Sequence, residues 1–200
     1  MKQSSAILLF LLLSVLLGGE ASAQKPEASY PETYMQYVPV AFDLFGGFAG
    51  AKSEDVFVDR LIAAGLGYAS EILVVNVLKN VVNETRPDGS ANNSFPSGHT
   101  ATAFVGAELV RHEYGWGWGA GAYALATGVG VLRCVHNRHH WWDAVAGAGI
   151  GVLCANIGYW TLEPFKSVFG IKTPRNMQIS LMPSVDPLYG SVGASFSVRF

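Results

Sequence analysis

Three long apolar stretches constrain the fold of this 200-residue chain more than any other feature. The first, Leu61–Leu78, carries a single charge, Glu71, whereas Trp116–Leu132 and Ala144–Leu162 carry none. Each stretch is long enough either to cross a bilayer as a helix or to run through a protein core. With a further helix expected from Pro96 to about Glu113, we predict an all-α fold, a helical bundle of about five to six helices.

Whether this bundle lies in a membrane stays open at the level of the sequence. The pairs Gly117/Gly121 and Gly147/Gly151 are small residues four apart, a spacing that lets membrane helices approach closely. The abundant glycine and alanine, however, make the stretches only modestly hydrophobic. A membrane bundle and a soluble periplasmic bundle are therefore both retained.

The two ends of the chain differ from the bundle. Lys2, the apolar run Ile7–Leu17 and the small residues at 21–23 form a signal-peptide pattern, too short for the roughly 20 apolar residues of a membrane span. Apolar residues at alternate positions from Val192 to Phe200 predict a strand, with a turn at Pro183–Gly190. We expect a signal peptide at 1–23, a helical domain at 24–176 and a β-hairpin-like tail at 177–200 that packs on the bundle. An uncleaved first membrane helix is the alternative at the start of the chain.

Charge and cysteine content restrict the function. A net charge of −2 and a pI near 6.2 provide no basic surface for nucleic acid, so we exclude nucleic acid as a partner. Cys134 and Cys154 both lie in apolar helical stretches, where a small buried thiol is the common role. Their pairing cannot be read from the sequence.

A first polar cluster joins Lys79 to Arg86-Pro87 near the end of a predicted helix. Seven residues are about two helical turns, so the two cations can project on the same side. A proline disfavours the helical conformation of the residue before it, which would turn the Arg86 guanidinium out of the bundle. A guanidinium and an ammonium together suit phosphate oxygens, although a solvated basic helix end has the same composition.

A second cluster is Pro96-Ser97-Gly98-His99-Thr100, at the expected start of a helix. The backbone N–H groups of a first helical turn, the bare Gly98 and the Ser97 hydroxyl together form a cradle for an anion. An imidazole at His99 would lie on its rim, where it could protonate a leaving oxygen. An ordinary turn capped by histidine is the alternative.

A third cluster extends from Arg133 to Asp143 and contains three histidines, His136, His139 and His140. His139 and Asp143 are four apart, so on a helix the carboxylate faces the imidazole and leaves Nε2 as a nucleophile. Arg133 supplies another cation. A metal site built from the histidines and Asp143 is a weaker alternative, because nearby arginines repel a cation.

Together the three clusters resemble the signature of the type 2 phosphatidic acid phosphatase and vanadium haloperoxidase superfamily. The resemblance covers roughly Leu61–Gly151 and retains every charged or catalytic position. Two departures are Leu132, where the family often has serine, and the short link Asp88–Phe95. Both could change the shape of a pocket, but neither removes a catalytic group.

The resemblance implies a phosphatase that uses neither metal nor cofactor. His139 would attack phosphorus to form a phosphohistidine, Asp143 would orient it, and His99 would protonate the leaving alcohol and then activate water. The remaining implied residues hold the phosphate oxygens: Lys79, Arg86, Ser97, Gly98 and Arg133.

The substrate is less constrained than the chemistry. An export signal and near-spanning helices favour a lipid phosphate monoester, lipid A above the others, at an inner-membrane site that faces the periplasm, or in the periplasm itself. The alternatives within the family are undecaprenyl diphosphate, phosphatidic acid or phosphatidylglycerol phosphate, a soluble broad-specificity acid phosphatase, and a haloperoxidase that binds vanadate. An inactive membrane scaffold is the non-enzymatic alternative, and the oligomeric state is left open.

Overall fold

A computed structural model of the protein describes residues 30–46 and 55–173, and the backbone of two later strands. The described chain is mostly helical, as the apolar stretches predict. Its elements are α1 (Glu32–Met35), α2 (Val38–Phe45), α3 (Phe57–Val81), α4 (Gly98–Val135), α5 (Trp141–Phe169), β1 (Gln178–Asp186) and β2 (Ser191–Arg199). The predicted signal peptide lies outside the described residues.

A break at Gly115 divides α4 into two halves. The backbone of Gly115 has φ 73° and ψ −177°, a conformation open to glycine and strained for other residues. The halves fold back on each other, since Gly130 lies against Thr100. The helix expected from Pro96 and the stretch Trp116–Leu132 are these two halves, and the first begins at Gly98.

Close backbone contact between α5 and the first half of α4 depends on glycine. A Cβ atom added to Gly147 would lie 2.5 Å from the Ser97 carbonyl oxygen, and one added to Gly151 would overlap the carbonyl oxygen of Ala101. The predicted close approach at Gly147 and Gly151 is therefore confirmed. The same prediction for Gly117/Gly121 is wrong, because among the described residues nothing lies within 4 Å of a Cβ added at either.

The core is built from small and medium apolar residues. One cluster joins α3, α4 and α5 through Ala64, Val105, Leu109, Cys154 and Ala155. Neither cysteine is paired, and the Cys154 thiol lies in this core.

The helices α3 and α5 are long and apolar enough to cross a membrane, with mean hydropathies of 1.8 and 1.4. Most residues of these apolar segments are not buried inside the bundle, with 28% and 33% buried. A core helix of a soluble protein would be mostly buried. The composition and exposure of both helices therefore favour contact with an apolar environment outside the protein.

The two strands pair antiparallel, with Gln178 opposite Arg199 and Asp186 opposite Ser191. The β1 strand extends through Pro183 to Asp186, so the predicted turn at Pro183–Gly190 begins too early. The packing of the two strands on the bundle and the helix count of the whole chain stay predictions.

Candidate active site

Four chain segments meet at one end of the bundle, and they carry the three predicted motifs. The backbone N–H of Ser97 donates to the Asp143 carbonyl oxygen at 3.1 Å, which joins the starts of α4 and α5. The N–H of His139 donates to the Arg133 carbonyl oxygen at 3.3 Å, across the turn between α4 and α5. The second and third motifs therefore lie side by side. The last turn of α3 carries Lys79 of the first motif.

His139 and Asp143 face each other in a buried position. The His139 Nδ1 atom lies 3.6 Å from Asp143 Oδ2, and the two side chains are 2% and 0% exposed. We expected both on one helix, but α5 begins at Trp141, so His139 precedes the helix and Asp143 lies in its first turn. A separation of 3.6 Å exceeds a hydrogen bond, and catalytic hydrogen bonds are often this long before substrate binds.

The Asp143 carboxylate is held by two other donors. Its Oδ2 atom accepts hydrogen bonds from Ser94 Oγ at 2.5 Å and from the His140 N–H at 2.9 Å. The second contact is part of a capping box at the start of α5. Ser94 is fully buried and was not predicted, because it belongs to none of the three motifs.

Asn93 connects the two cations of the first motif. Lys79 Nζ donates to the Asn93 carbonyl oxygen at 2.8 Å, and Arg86 Nε donates to Asn93 Oδ1 at 3.1 Å. The expectation that the proline turns the Arg86 guanidinium outward is wrong, since Arg86 is only 7% exposed. The contact with Asn93 holds the guanidinium inside.

Arg133 is buried beside a carboxylate that the sequence did not indicate. Its Nη1 atom lies 3.8 Å from Glu32 Oε1, and the same oxygen lies 2.8 Å from His136 Nδ1. Glu32 begins α1 and is fully buried. Arg133 and His136 hold Glu32 in this position, and both lie more than a hundred residues away in sequence.

The surroundings of His139 favour its neutral form. Burial is the largest influence and lowers the pKa of His139, the Asp143 carboxylate opposes it, and Arg133, Lys79 and Arg86 lower it further. The net pKa lies below the ordinary histidine value of 6.5. Three cations therefore act on the imidazole. Because its pKa is lowered, the neutral form, which is the nucleophile, is present at neutral pH.

The start of α4 provides the remaining predicted residues. Ser97 precedes the helix, is fully buried and lies with its Oγ 2.9 Å from Thr100 Oγ1. Gly98 is the first helical residue, and a Cβ there would make only ordinary contact with Val75, at 3.7 Å. His99 follows and is half-buried. This first helical turn presents N–H groups that an intrahelical ladder does not use.

The three histidines of the third motif have different partners. His136 contacts Glu32, His139 faces Asp143, and His140 Nε2 lies 3.2 Å from the Thr85 carbonyl oxygen. Among the described residues, the group of side chains that could hold a metal ion lies elsewhere, before the start of α3 and next to the break at Gly115 in α4. Its members are Asp55, His112 and Glu113.

Comparison with known proteins agrees with this geometry. The family model for the PAP2 superfamily matches residues 60–166. A lipid A 1-phosphatase from Porphyromonas gingivalis is 39% identical over 130 residues, which is 62% of this chain and 29% of that protein. The chain thus spans less than a third of the length of that curated relative.

A solved structure shares the fold. The crystal structure of Aquifex aeolicus LpxE is 24% identical, with a TM-score of 0.51, and the match covers 76% of this chain and 94% of that one. The resemblance drawn from the three motifs is confirmed by the family match, and all three motifs lie within the matched residues 60–166. The chain belongs to the PAP2 superfamily.

Proposed function

We propose that this protein is a phosphatase that hydrolyses a lipid phosphate monoester, lipid A above other lipids, through a phosphohistidine on His139. One observation carries the proposal: a buried, neutral imidazole faces a carboxylate and lies within the field of three cations. A phosphoryl group entering this site would find a nucleophile and its countercharges together.

In the first step, His139 Nε2 attacks phosphorus and the bond to the lipid alcohol breaks. Asp143 orients the ring from the Nδ1 side and stabilises the positive charge that the imidazole acquires. His99 donates a proton to the departing alcohol oxygen. The attack yields phosphohistidine and a free alcohol.

In the second step, His99 accepts a proton from water, and the water oxygen attacks the phosphohistidine. The bond between phosphorus and Nε2 breaks, which releases inorganic phosphate and restores the neutral imidazole. During both steps the equatorial oxygens need countercharge and hydrogen-bond donors. We assign these roles to Lys79, Arg86, Arg133, the Ser97 hydroxyl and the Gly98 N–H.

A lipid substrate is supported by two groups of exposed tryptophans. On α5, Trp141 and Trp160 are both 67% exposed and are separated by 19 helical residues, about 28 Å along the axis. That distance is close to the roughly 30 Å of a bilayer's hydrocarbon layer, at whose two borders tryptophan is enriched. Trp142 lies in the first group, beside the site, and Trp116 and Trp118 belong to the second.

The first tryptophan group supports a site at the depth of the lipid head groups. Trp141 follows the nucleophile by two residues, so a phosphate at His139 would lie close to the membrane border. We therefore propose a bundle of five to six helices embedded in the inner membrane, exported by its signal peptide, with the site facing the periplasm. The C-terminal hairpin completes this architecture.

Lipid A is favoured as the substrate because of the curated relative. The Porphyromonas protein carries the name lipid A 1-phosphatase and shares 39% of the aligned residues with this chain. The proposed site residues, which lie between positions 79 and 143, are all within the family match over residues 60–166.

The test is phosphate release by the purified protein, in detergent and chelator, from lipid A, undecaprenyl diphosphate, phosphatidic acid, phosphatidylglycerol phosphate and a soluble aryl phosphate. His139→Ala serves as the inactive variant. His112→Ala is the matched control, because His112 lies near the break at Gly115, at the far end of the first half of α4. We expect release from lipid A by the wild type and the control, and loss with His139→Ala.

Other outcomes would redirect the proposal. Turnover of another lipid would change the substrate, and turnover of the aryl phosphate alone would favour a soluble acid phosphatase. Equal activity of wild type and His139→Ala would contradict the phosphohistidine on His139, and no activity in either would contradict the phosphatase. An unchanged cellular phenotype with His139→Ala would favour the scaffold.

A further inference from the structure

We propose that Ser94 is a positioning residue that holds the Asp143 carboxylate against His139. The inference rests on the proposed function and adds a residue outside the three motifs. Ser94 and Asp143 are both fully buried, and 49 residues separate them in sequence. Their hydrogen bond is a tertiary contact between the loop before α4 and the first turn of α5.

The geometry fixes the orientation of the carboxylate. Asp143 Oδ2 accepts from Ser94 Oγ at 2.5 Å and from the His140 N–H at 2.9 Å, and the same oxygen is the one 3.6 Å from His139 Nδ1. Within the described residues, Asp143 Oδ1 has no hydrogen-bond partner. Without Ser94, only the His140 N–H would restrain rotation of the carboxylate about its Cβ–Cγ bond.

Ser94 is itself held in place by its backbone. Its N–H donates to the Glu84 carbonyl oxygen at 2.9 Å, which closes the loop between α3 and α4. The preceding residue, Asn93, contacts both Lys79 and Arg86. One short segment therefore fixes the phosphate cations on one side and the carboxylate of the nucleophile pair on the other.

A purely structural role would give a different signature from a positioning role. A buried carboxylate needs donors for stability alone, and losing one would lower stability without changing the chemistry. In a positioning role, loss of the Ser94 hydroxyl would let the Asp143 carboxylate turn away from the imidazole, which would lose part of the influence that raises the pKa of His139. That pKa would then fall further, and the imidazole would stay neutral to a lower pH.

The experiment compares Ser94→Ala with the wild type in pH profiles of kcat and kcat/KM for lipid A. Ser70→Ala is the matched control, because the Ser70 hydroxyl donates to the Leu66 carbonyl oxygen of its own helix. We expect Ser94→Ala to lower kcat about 10- to 100-fold, the scale expected for a misplaced catalytic group. KM should stay within about twofold, and the acid limb should move to lower pH.

Ser94→Thr keeps the hydroxyl and should recover most of the activity and the wild-type pH profile. If Ser94→Ala fails to fold, Ser94→Cys replaces it, since a thiol of similar size is a weak donor. The cysteine variant should show the same downward move of the acid limb, to a smaller extent. A wild-type profile in whichever of the two variants folds would overturn the proposal.

A double-mutant cycle measures the coupling directly. Once Asp143→Ala has removed the carboxylate, adding Ser94→Ala should lower kcat little further, because the two residues act as a unit. Fully additive losses would overturn the positioning role. Activity in the wild type, none in His139→Ala and a normal Ser94→Ala enzyme would refute this inference alone, whereas an inactive wild type would refute the proposed function.

Discussion

The surroundings of a single imidazole determine the pH range in which this site can work. Since the pKa of His139 lies below 6.5, the neutral nucleophile persists to a more acidic pH than an ordinary histidine would allow. Lys79→Met removes one of the charges that lower this pKa, so the pKa should rise. We expect the acid limb of kcat/KM to move to higher pH in Lys79→Met, measured on the same substrate as the wild type.

Because both enzymes are measured on the same substrate, ionisation of its phosphate group affects the two pH profiles equally. An acid limb that stays in place, or moves to lower pH, would contradict the electrostatic description of the site. A fall in activity without any displacement would show that Lys79 binds phosphate but does not influence the imidazole.

Asn93 provides a second residue-scale prediction. Asn93→Ala removes the acceptor for Arg86 Nε but keeps the backbone carbonyl that binds Lys79. A hydrogen bond to a charged group contributes about 1.5–3 kcal/mol, so we expect KM to rise roughly 10-fold with a smaller change in kcat. The matched control is Asn92→Ala, whose side chain contacts the exposed Thr85 hydroxyl. Equal kinetics in the two variants would contradict the role of Asn93.

Sequence reasoning located the motif residues but not the residues that hold them. Lys79, Arg86 and His139 stand out because their chemistry and spacing form a pattern. Ser94 and Glu32 act through contacts with residues 49 and 104 positions away, and nothing in their local sequence indicates those partners. Only the folded bundle brings them together.

Among the elements, the contact between α4 and α5 makes the sharpest prediction. A side chain at Gly151 would overlap the Ala101 carbonyl oxygen, whereas one at Gly149 on the same helix meets nothing within 4 Å among the described residues. Overpacking costs about 1–3 kcal/mol, so Gly151→Ala should lower the unfolding temperature and the activity. Gly149→Ala should be neutral or slightly stabilising, because alanine favours a helix over glycine. Equal thermal stability of the two variants would contradict the close packing.

The apolar stretches predicted the type of the long elements better than their ends. The α3 helix extends the apolar stretch Leu61–Leu78 by a few residues at each end, and α5 continues to Phe169, past the expected Leu162. When a helix continues past its apolar stretch, the hydrophobic pattern of the sequence does not indicate where it ends. It also did not show that the residues before and after Gly115 belong to one folded-back unit, because that depends on the backbone conformation of a single glycine.

At the scale of the whole molecule, the two tryptophan groups predict how the protein lies in a bilayer. Tryptophan fluorescence of the protein in vesicles should be quenched by lipids brominated near the head group more than by lipids brominated at the chain ends. This follows because both groups would lie at the membrane borders. Trp141→Phe and Trp160→Phe should each reduce that quenching. A protein that stays dispersed without detergent and shows no quenching would contradict the membrane position and favour the soluble alternative.

The most direct test of the central claim is to find the phosphoryl group on the enzyme. A rapid acid-free quench during turnover, followed by peptide mass spectrometry, should detect phosphate on the peptide that contains His139. We expect the adduct in the wild type and a greater amount in His99→Ala if water attack slows more than the first step. It should be missing in His139→Ala. Phosphate release with no modification of His139, or a phosphoryl group on another residue, would contradict the account.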